Sequence, residues 1–206
     1  MKLAVKVESP ENVYGVRLDL IPRFNPGDLI PETRNLDIVS FSVSAAYHSR
    51  MVATVYIESS VISDLVARPS RDVVIAARQA ITVEWWQSRR DRFDTYISAL
   101  VEEEISDGDL DAARLRLDAV ADVPSLATTR EAQLLATRLV ADGAIPESSL
   151  EDTLHIGIAA AHGMQYLLTW NFKHINNAET KAGSEAVIEQ EGYLCPVLCS
   201  PEELGA

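Results

Sequence analysis

The chain has 206 residues, of which 47% are hydrophobic and 24% charged. That balance excludes an intrinsically disordered chain and provides for one domain with a sizeable core. Eighteen Lys and Arg stand against 31 Asp and Glu, a formal net charge of −13, which argues against a surface that grips nucleic acid all over.

Residues 1–50 include "ENVYGVRLDLIPRFNPGDLIPETRN", rich in Pro, Gly and Asn and without sustained periodicity. They read as an N-terminal extension or as a stretch ahead of the true start, with Met51 as candidate initiator. "MKLAVKVESP" turns charged too early for a secretory signal. From Met51 the pattern becomes regular. "VATVYIE" reads as a strand ending in Glu58, and "SSVISDLVA" as a short helix capped by serine. A long helical stretch, "RDVVIAARQAITVEWWQSRRDRF", precedes a second strand, "TYISAL", which leads into "VEEEISDGD". "LDAARLRLDAVAD" is a helix, "VPSLAT" a short strand, and "TREAQLLATRLVADG" a helix stopped by Gly143.

Ser148 or Ser149 opens the next helix, where Ser148 and Glu151 have capping-box spacing, and Gly163 ends it. "MQYLLTW" is a strand, "AETKAGSEAVIEQEG" holds a helix, and "YLCPVLC" is a last strand that Pro196 assigns to a sheet edge. "SPEEL" reads as a helix start, with Ser200 as cap and Pro201 in the first turn. Cys195 and Cys199, four apart on one strand, lie too far apart for a relaxed disulfide and read as reduced, mostly buried thiols. No apolar run approaches the ~20 residues of a membrane span. Reduced thiols and the absence of a leader together predict a cytoplasmic protein.

Strands alternating with helices predict an α/β fold with a mostly parallel sheet flanked by helices. In such sheets, sites form beyond the carboxyl ends of the strands. Glu58 closes the first strand, Glu104 follows the second, Asp152 lies in the first turn of its helix and Asn171 ends the strand "YLLTW". Carboxylates gathered together repel unless a cation intervenes. Mg²⁺ or Mn²⁺ answers that need with oxygen ligands, and either ion activates water toward a phosphodiester. Taken singly, each acid also fits a duller role, as a helix N-terminal acid or part of a solvated face.

Residues 96–206 hold 19 of the acidic residues and only six of the basic ones, while arginine concentrates between Arg68 and Arg92. Arg89 and Arg90, beside Trp85 and Trp86, fit either a surface that holds single-stranded RNA or a solvated face over core and interface aromatics. Lys173 and His174 in "NFKH" fit either substrate phosphates or a solvated loop. His155, one turn beyond Asp152, fits either the site or a hydrogen-bonded place at the core edge.

From Met51 onward the chain resembles PIN-domain proteins of the VapC-like group, toxins of type II toxin–antitoxin systems. The residues that carry the likeness are "VYIESSVIS" (55–63), "YISALVEEEISDGD" (96–109) and "DTLHIGIAAAHGMQYLLTWNFKHINN" (152–177). "ARPSRD", "ITVEWW" and "CPVLCSPEEL" resemble a subgroup. The likeness covers roughly three quarters of the chain and leaves out residues 1–50. It implies a three-layer PIN-like fold over residues 51–206 and a metal-dependent ribonuclease using Mg²⁺ or Mn²⁺. Glu58 takes the place of the usual first-strand aspartate, Ser60 that of the neighbouring hydroxyl, Glu104 that of the helix glutamate and Asp152 that of the third acid. Glu58, Glu104 and Asp152 would hold the metal. Asn171 stands where a fourth acid is common, which keeps an oxygen ligand but removes a charge. Lys173, Arg89 and Arg90 join Ser60 as candidate substrate-binding residues. The resemblance further implies a homodimer, an RNA substrate and a cognate antitoxin partner able to set a basic side chain on the acids. Two rivals stand beside it. One is a PIN-fold module that binds RNA or a protein without turnover, and the other a hydrolase of DNA or another phosphodiester.

Overall fold

Val55, Tyr56 and Ile57 are wholly buried, and the strand they end, β1 (Ala53–Ile57), is the middle of a five-stranded sheet. The computed structural model describes residues 52–205. The readings made on residues 1–50 and on Met51 lie outside them. The other strands are β2 (Phe93–Ser98), β3 (Ser125–Leu126), β4 (Tyr166–Leu168) and β5 (Val197–Cys199). They run in the order β3-β2-β1-β4-β5, and every pair is parallel. Parallel pairing needs crossovers, and seven helices among the described residues flank the sheet. They are α1 (Ser59–Val66), α2 (Val73–Ser88), α3 (Ala99–Ser106), α4 (Leu110–Ala119), α5 (Arg130–Ala141), α6 (Leu150–Ala161) and α7 (Ala178–Gln190). This is the parallel α/β arrangement, with helices flanking the sheet, that the alternating pattern predicts.

The strand order decides where a site can form. From β1 the chain builds outward to β2 and β3, then returns to the other flank of β1 with β4 and β5. The order reverses between β1 and β4, so a crevice opens beyond their carboxyl ends. Val55 pairs with Tyr166, and Ile57 with Leu168, so both strands finish level there. β5 is an edge strand directly after Pro196, as the missing N–H of proline requires.

Four local expectations change. Helix α1 is capped by the carboxylate of Glu58, not by serine: it accepts the Ser60 N–H at 3.1 Å. Ala99 and Leu100, read as the end of the strand "TYISAL", open helix α3, whose cap is Ser98. The capping box of α6 does not form; Ser149 makes no side-chain cap bond, and the helix is entered through a 3₁₀ turn, Glu147–Ser149. "SPEEL" is a turn, because the Glu203 carboxylate folds back to accept the Ser200 N–H and hydroxyl at 2.8 and 2.9 Å.

Helix α6 is the most deeply set, with seven of its 12 residues buried. Gly157 lets it lie against α5: a Cβ there would fall on the Ala132 carbonyl oxygen and sit 3.3 Å from the Ala136 nitrogen. Backbone cannot yield as a flexible side chain can. Gly157→Ala is therefore expected to destabilise the fold by about 2 kcal/mol, an overpacking penalty, and to lower Tm by roughly 4–8 °C in a chain of this size. Thermal unfolding followed by circular dichroism checks this.

Cys195 and Cys199 are both free, and Cys199 is buried. Burial, reinforced by Glu185 at Cys195 and Glu203 at Cys199, pushes both thiols up to about 12. Alkylation needs the thiolate, and at pH 8 a raised pKa leaves less of it. Both cysteines should resist iodoacetamide at pH 8 in the folded chain and react once it is unfolded in urea, as intact-mass spectrometry would show.

Candidate metal centre

At the β1–β4 crevice Glu58 is only 5% exposed. A carboxylate taken from water needs several donors, and the neighbouring chain supplies them. Oε1 accepts the Ser59 hydroxyl at 2.8 Å and the Ser60 N–H at 3.1 Å. Oε2 accepts the hydroxyls of Ser60 and, at 2.7 Å, of Thr169. The Glu58 N–H donates to the Leu168 carbonyl at 3.0 Å. Glu58 thus stitches the end of β1 to the start of the loop after β4.

Glu104 comes from the neighbouring strand's helix, α3. Its Oε1 lies 3.1 Å from Nε2 of His155 on α6. The other ring nitrogen, Nδ1, is 2.8 Å from the Tyr56 hydroxyl, which is 2.7 Å from the Ser98 hydroxyl. Ser98 also accepts the Val101 N–H at 3.3 Å, capping α3. With a neutral imidazole this chain satisfies every group in one direction: Ser98 donates to Tyr56, Tyr56 to Nδ1, and Nε2–H to Glu104. Burial works to lower the His155 pKa, but the Glu104 hydrogen bond and the charges of Glu58, Glu104 and Asp152 outweigh it and raise the value. Burial likewise pushes Glu104 up, and its hydrogen bond and charge pairing with His155 bring it below its ordinary value. Burial raises the Tyr56 phenol far above its usual range, with the charges of Glu58 and Glu104 adding to the shift, so it stays protonated.

Glu58, Glu104 and His155 each offer an atom within 4.8 Å of the other two. Glu104 Oε2 is buried and, among the described residues, has no hydrogen-bond partner. An anionic oxygen left this way is costly, and a divalent cation is the partner such an atom suits. The residues present therefore fit a metal ion. Both nitrogens of His155 are already engaged, so it orients Glu104 in the way outer groups hold metal ligands.

Asp152 lies one turn before His155 on α6 and is half-buried. Asn171 donates its amide to Asp152 Oδ1 at 2.6 Å, and Asn171 Oδ1 accepts the His174 N–H at 3.0 Å. Burial raises the Asp152 pKa, with repulsion from Glu58 adding to it; His174, His155 and the Asn171 amide offset part of the shift. The group within 4.8 Å of Glu58 and Glu104 is thus completed by His155, with Asp152 and Asn171 as a hydrogen-bonded pair beside it.

Ser60 is in place, but its hydroxyl donates to Glu58 and accepts the Trp170 N–H at 2.9 Å. It braces the site and does not reach outward. Lys173 is exposed on the Asn171 loop. Arg89 and Arg90 are elsewhere. They precede β2, whose carboxyl end supplies Ser98, so roughly 17 Å of strand separates them from the acids. Arg90 pairs with Asp122 at 2.8 Å and lies 4.6 Å over Trp86, and Arg89 pairs with Glu84 at 3.2 Å. Trp85 is a core residue stacked on Phe93. The "WWQSRRDR" stretch is a structural corner at the amino end of β2, away from the acids. The sequence reading did not single out Tyr56 or Thr169. Tyr56 carried a signal in retrospect, a phenol in an otherwise apolar central strand.

No protein-family profile matches the chain, and no curated protein matches it in sequence. Among solved structures, the crystal structure of VapBC2 from Rickettsia felis, bound to a DNA fragment from its promoter, aligns with 71% of this chain and 98% of that one. The identity is 13% and the TM-score 0.42. Among the described residues, no helix is long and apolar enough to cross a membrane.

Removing the Tyr56 hydroxyl strands His155 Nδ1 and leaves the Ser98 O–H without its acceptor, although Ser98 still caps α3. Tyr56→Phe is expected to cost about 1–3 kcal/mol, the penalty for buried polar groups left unpaired. Urea denaturation of the variant beside the parent checks this; an unchanged midpoint would show that the chain of bonds contributes nothing.

Proposed function

We propose that this protein is a metal-dependent endoribonuclease of the PIN-domain, VapC-like kind, acting in the cytoplasm as the toxin of a toxin–antitoxin pair. The observation that supports it best is the buried, unpartnered oxygen of Glu104 in a cluster with Glu58 and His155 at the crevice where the strand order reverses. Glu58, Glu104 and Asp152 would hold Mg²⁺ or Mn²⁺, which supplies an activated water and stabilises developing negative charge at a phosphodiester. The chain's own part is positional. Ser59, Ser60 and Thr169 fix the Glu58 carboxylate. His155, held by Tyr56, orients Glu104. Asn171 fixes the Asp152 carboxylate and carries His174 on the same loop. Lys173, exposed on the same loop, would meet a substrate phosphate. An acidic crevice of this kind would be neutralised by an arginine from an antitoxin, and a second copy of the chain completes the proposed assembly.

A second reading has its own support. All four hydrogen bonds to Glu58 are internal, and the Asn171 amide takes an Asp152 oxygen that a metal would use. A PIN-fold module that binds RNA or a protein without turnover suits such internal satisfaction. Metal binding separates the two. With Mn²⁺ at 100-fold over its Kd, linkage stabilises by about 2.7 kcal/mol, a rise in Tm of roughly 5–10 °C. Glu104→Gln should abolish that rise.

Cleavage completes the test. The full chain, incubated with a mixed RNA pool, should cut with Mn²⁺ or Mg²⁺ and not with chelator. Asp152→Asn and Glu104→Gln should lower the rate by about 100-fold or more, as lost electrostatic groups do. Cleavage of DNA at a rate equal to that of RNA would instead assign a broader phosphodiesterase. Absence of both cleavage and metal stabilisation would assign the binding module.

A further inference from the structure

The loop that carries Asn171 also carries Trp170 and Phe172, whose ring centroids lie 5.9 Å apart. Helix α2 faces them. The Trp170 Nε1–H donates to Thr82 Oγ1 at 2.7 Å, which ties the indole to the helix. The guanidinium of Arg78, one turn earlier, stands 5.6 Å from the Trp170 ring centroid and 5.0 Å from that of Phe172. Among the described residues its N–H groups meet no hydrogen-bond acceptor. Between helix and loop lies a cavity of about 480 Å³, lined by Val74, Arg78, Ile81, Trp170, Phe172 and Glu202. That volume is within the range of sites for small organic groups. Its mouth is open, since Val74 is 56% and Phe172 39% exposed.

We propose that this cavity receives an unpaired nucleobase of the RNA, from a nucleotide beside the scissile bond. The inference rests on the ribonuclease reading above and names the form of RNA that the site takes. The exposed Phe172 ring and the aliphatic wall of Val74 offer a base faces to lie on, with the buried Trp170 behind them, and the Arg78 plane adds another; stacking on such groups is how single strands are held. The cavity lining also includes a donor group, the Arg78 guanidinium, and an acceptor, the Glu202 carboxylate. A base edge presents both donors and acceptors, whereas a phosphate would be repelled by Glu202. The cavity shares its wall with the site, because Trp170 and Phe172 are the two chain neighbours of Asn171. A base inside a duplex cannot enter, so the substrate is single-stranded at that nucleotide.

Fluorescence anisotropy of the full chain with a labelled, mixed-sequence oligoribonucleotide of about a dozen nucleotides, in chelator and at one fixed salt concentration, tests this. Phe172→Ala and Arg78→Ala should each weaken binding about tenfold, within the range for loss of one stacking partner. Arg78→Lys keeps the charge but not the plane, and should remain weakened. Arg92→Ala, which removes the same charge at the amino end of β2, outside the cavity lining, should stay within about twofold of the parent. A labelled duplex should not distinguish the parent from the Phe172 variant. Thermal melts of all four variants confirm folding, and Phe172, being exposed, can be truncated safely. Unchanged binding by Phe172→Ala, an equal loss with Arg92→Ala, or no binding of single strands by the parent would each overturn the proposal. Because binding is read without metal, the two readings fail separately. A chain that binds as described yet cuts nothing keeps the cavity and rejects the nuclease. A chain that cuts RNA with its Phe172 and Arg78 variants binding like the parent keeps the nuclease and rejects the cavity.

Discussion

A carboxylate buried at the end of the central strand is the constraint around which this protein is arranged. Glu58 is withdrawn from solvent at the point where the sheet changes direction, and a charge there demands donors from every side. Ser59 and Ser60 provide them from the first turn of α1, and Thr169 from beyond β4. The same bonds therefore cap a helix, close a crevice between two strands and place an oxygen cluster at the mouth of that crevice. Structural satisfaction and a poised charge arise from one set of atoms.

The second carboxylate is organised differently. Glu104 reaches the crevice from α3, and what holds it is a line of side chains running back through the sheet: His155, Tyr56 and Ser98. Ser98 is also the cap of α3, so the helix that delivers Glu104 and the bond network that orients it share an anchor. One oxygen of Glu104 is held firmly and the other left over. A buried polar atom without a partner in the chain calls for one from outside it, an ion or a water.

Much of this was legible in the sequence because it depends on element ends. Glu58, Glu104, Asp152 and Asn171 stood out as oxygen-bearing groups at the junctions of strands and helices, and the alternating pattern put those junctions on one side of a parallel sheet. The pairings were not legible. Spacing along the chain does not pair Glu104 with His155, 51 positions further on, nor does it show that Asn171 turns its amide, not its oxygen, toward Asp152. The arginine-rich corner misled for a related reason. Aromatic and basic residues in sequence proximity resemble a binding platform, but the turn at Arg90–Arg92 folds them onto Trp86 and Asp122, at the wrong end of β2. Capping differs from the expectation where a carboxylate, in place of a serine hydroxyl, is the acceptor, at α1 and again at Glu203.

The close approach of α5 and α6 bears on how such a chain can change. His155 and Asp152 ride on α6, whose depth is set two residues later by the absence of a side chain at Gly157 against the Ala132 backbone. Enlarging that one position would lift the helix and both site residues with it, by a shift no residue of the crevice could correct locally. The reach of Glu104, one rotatable chain long, would then have to follow. Divergence in this fold is consequently free at the surface of α6 and locked along a seam that touches no ligand.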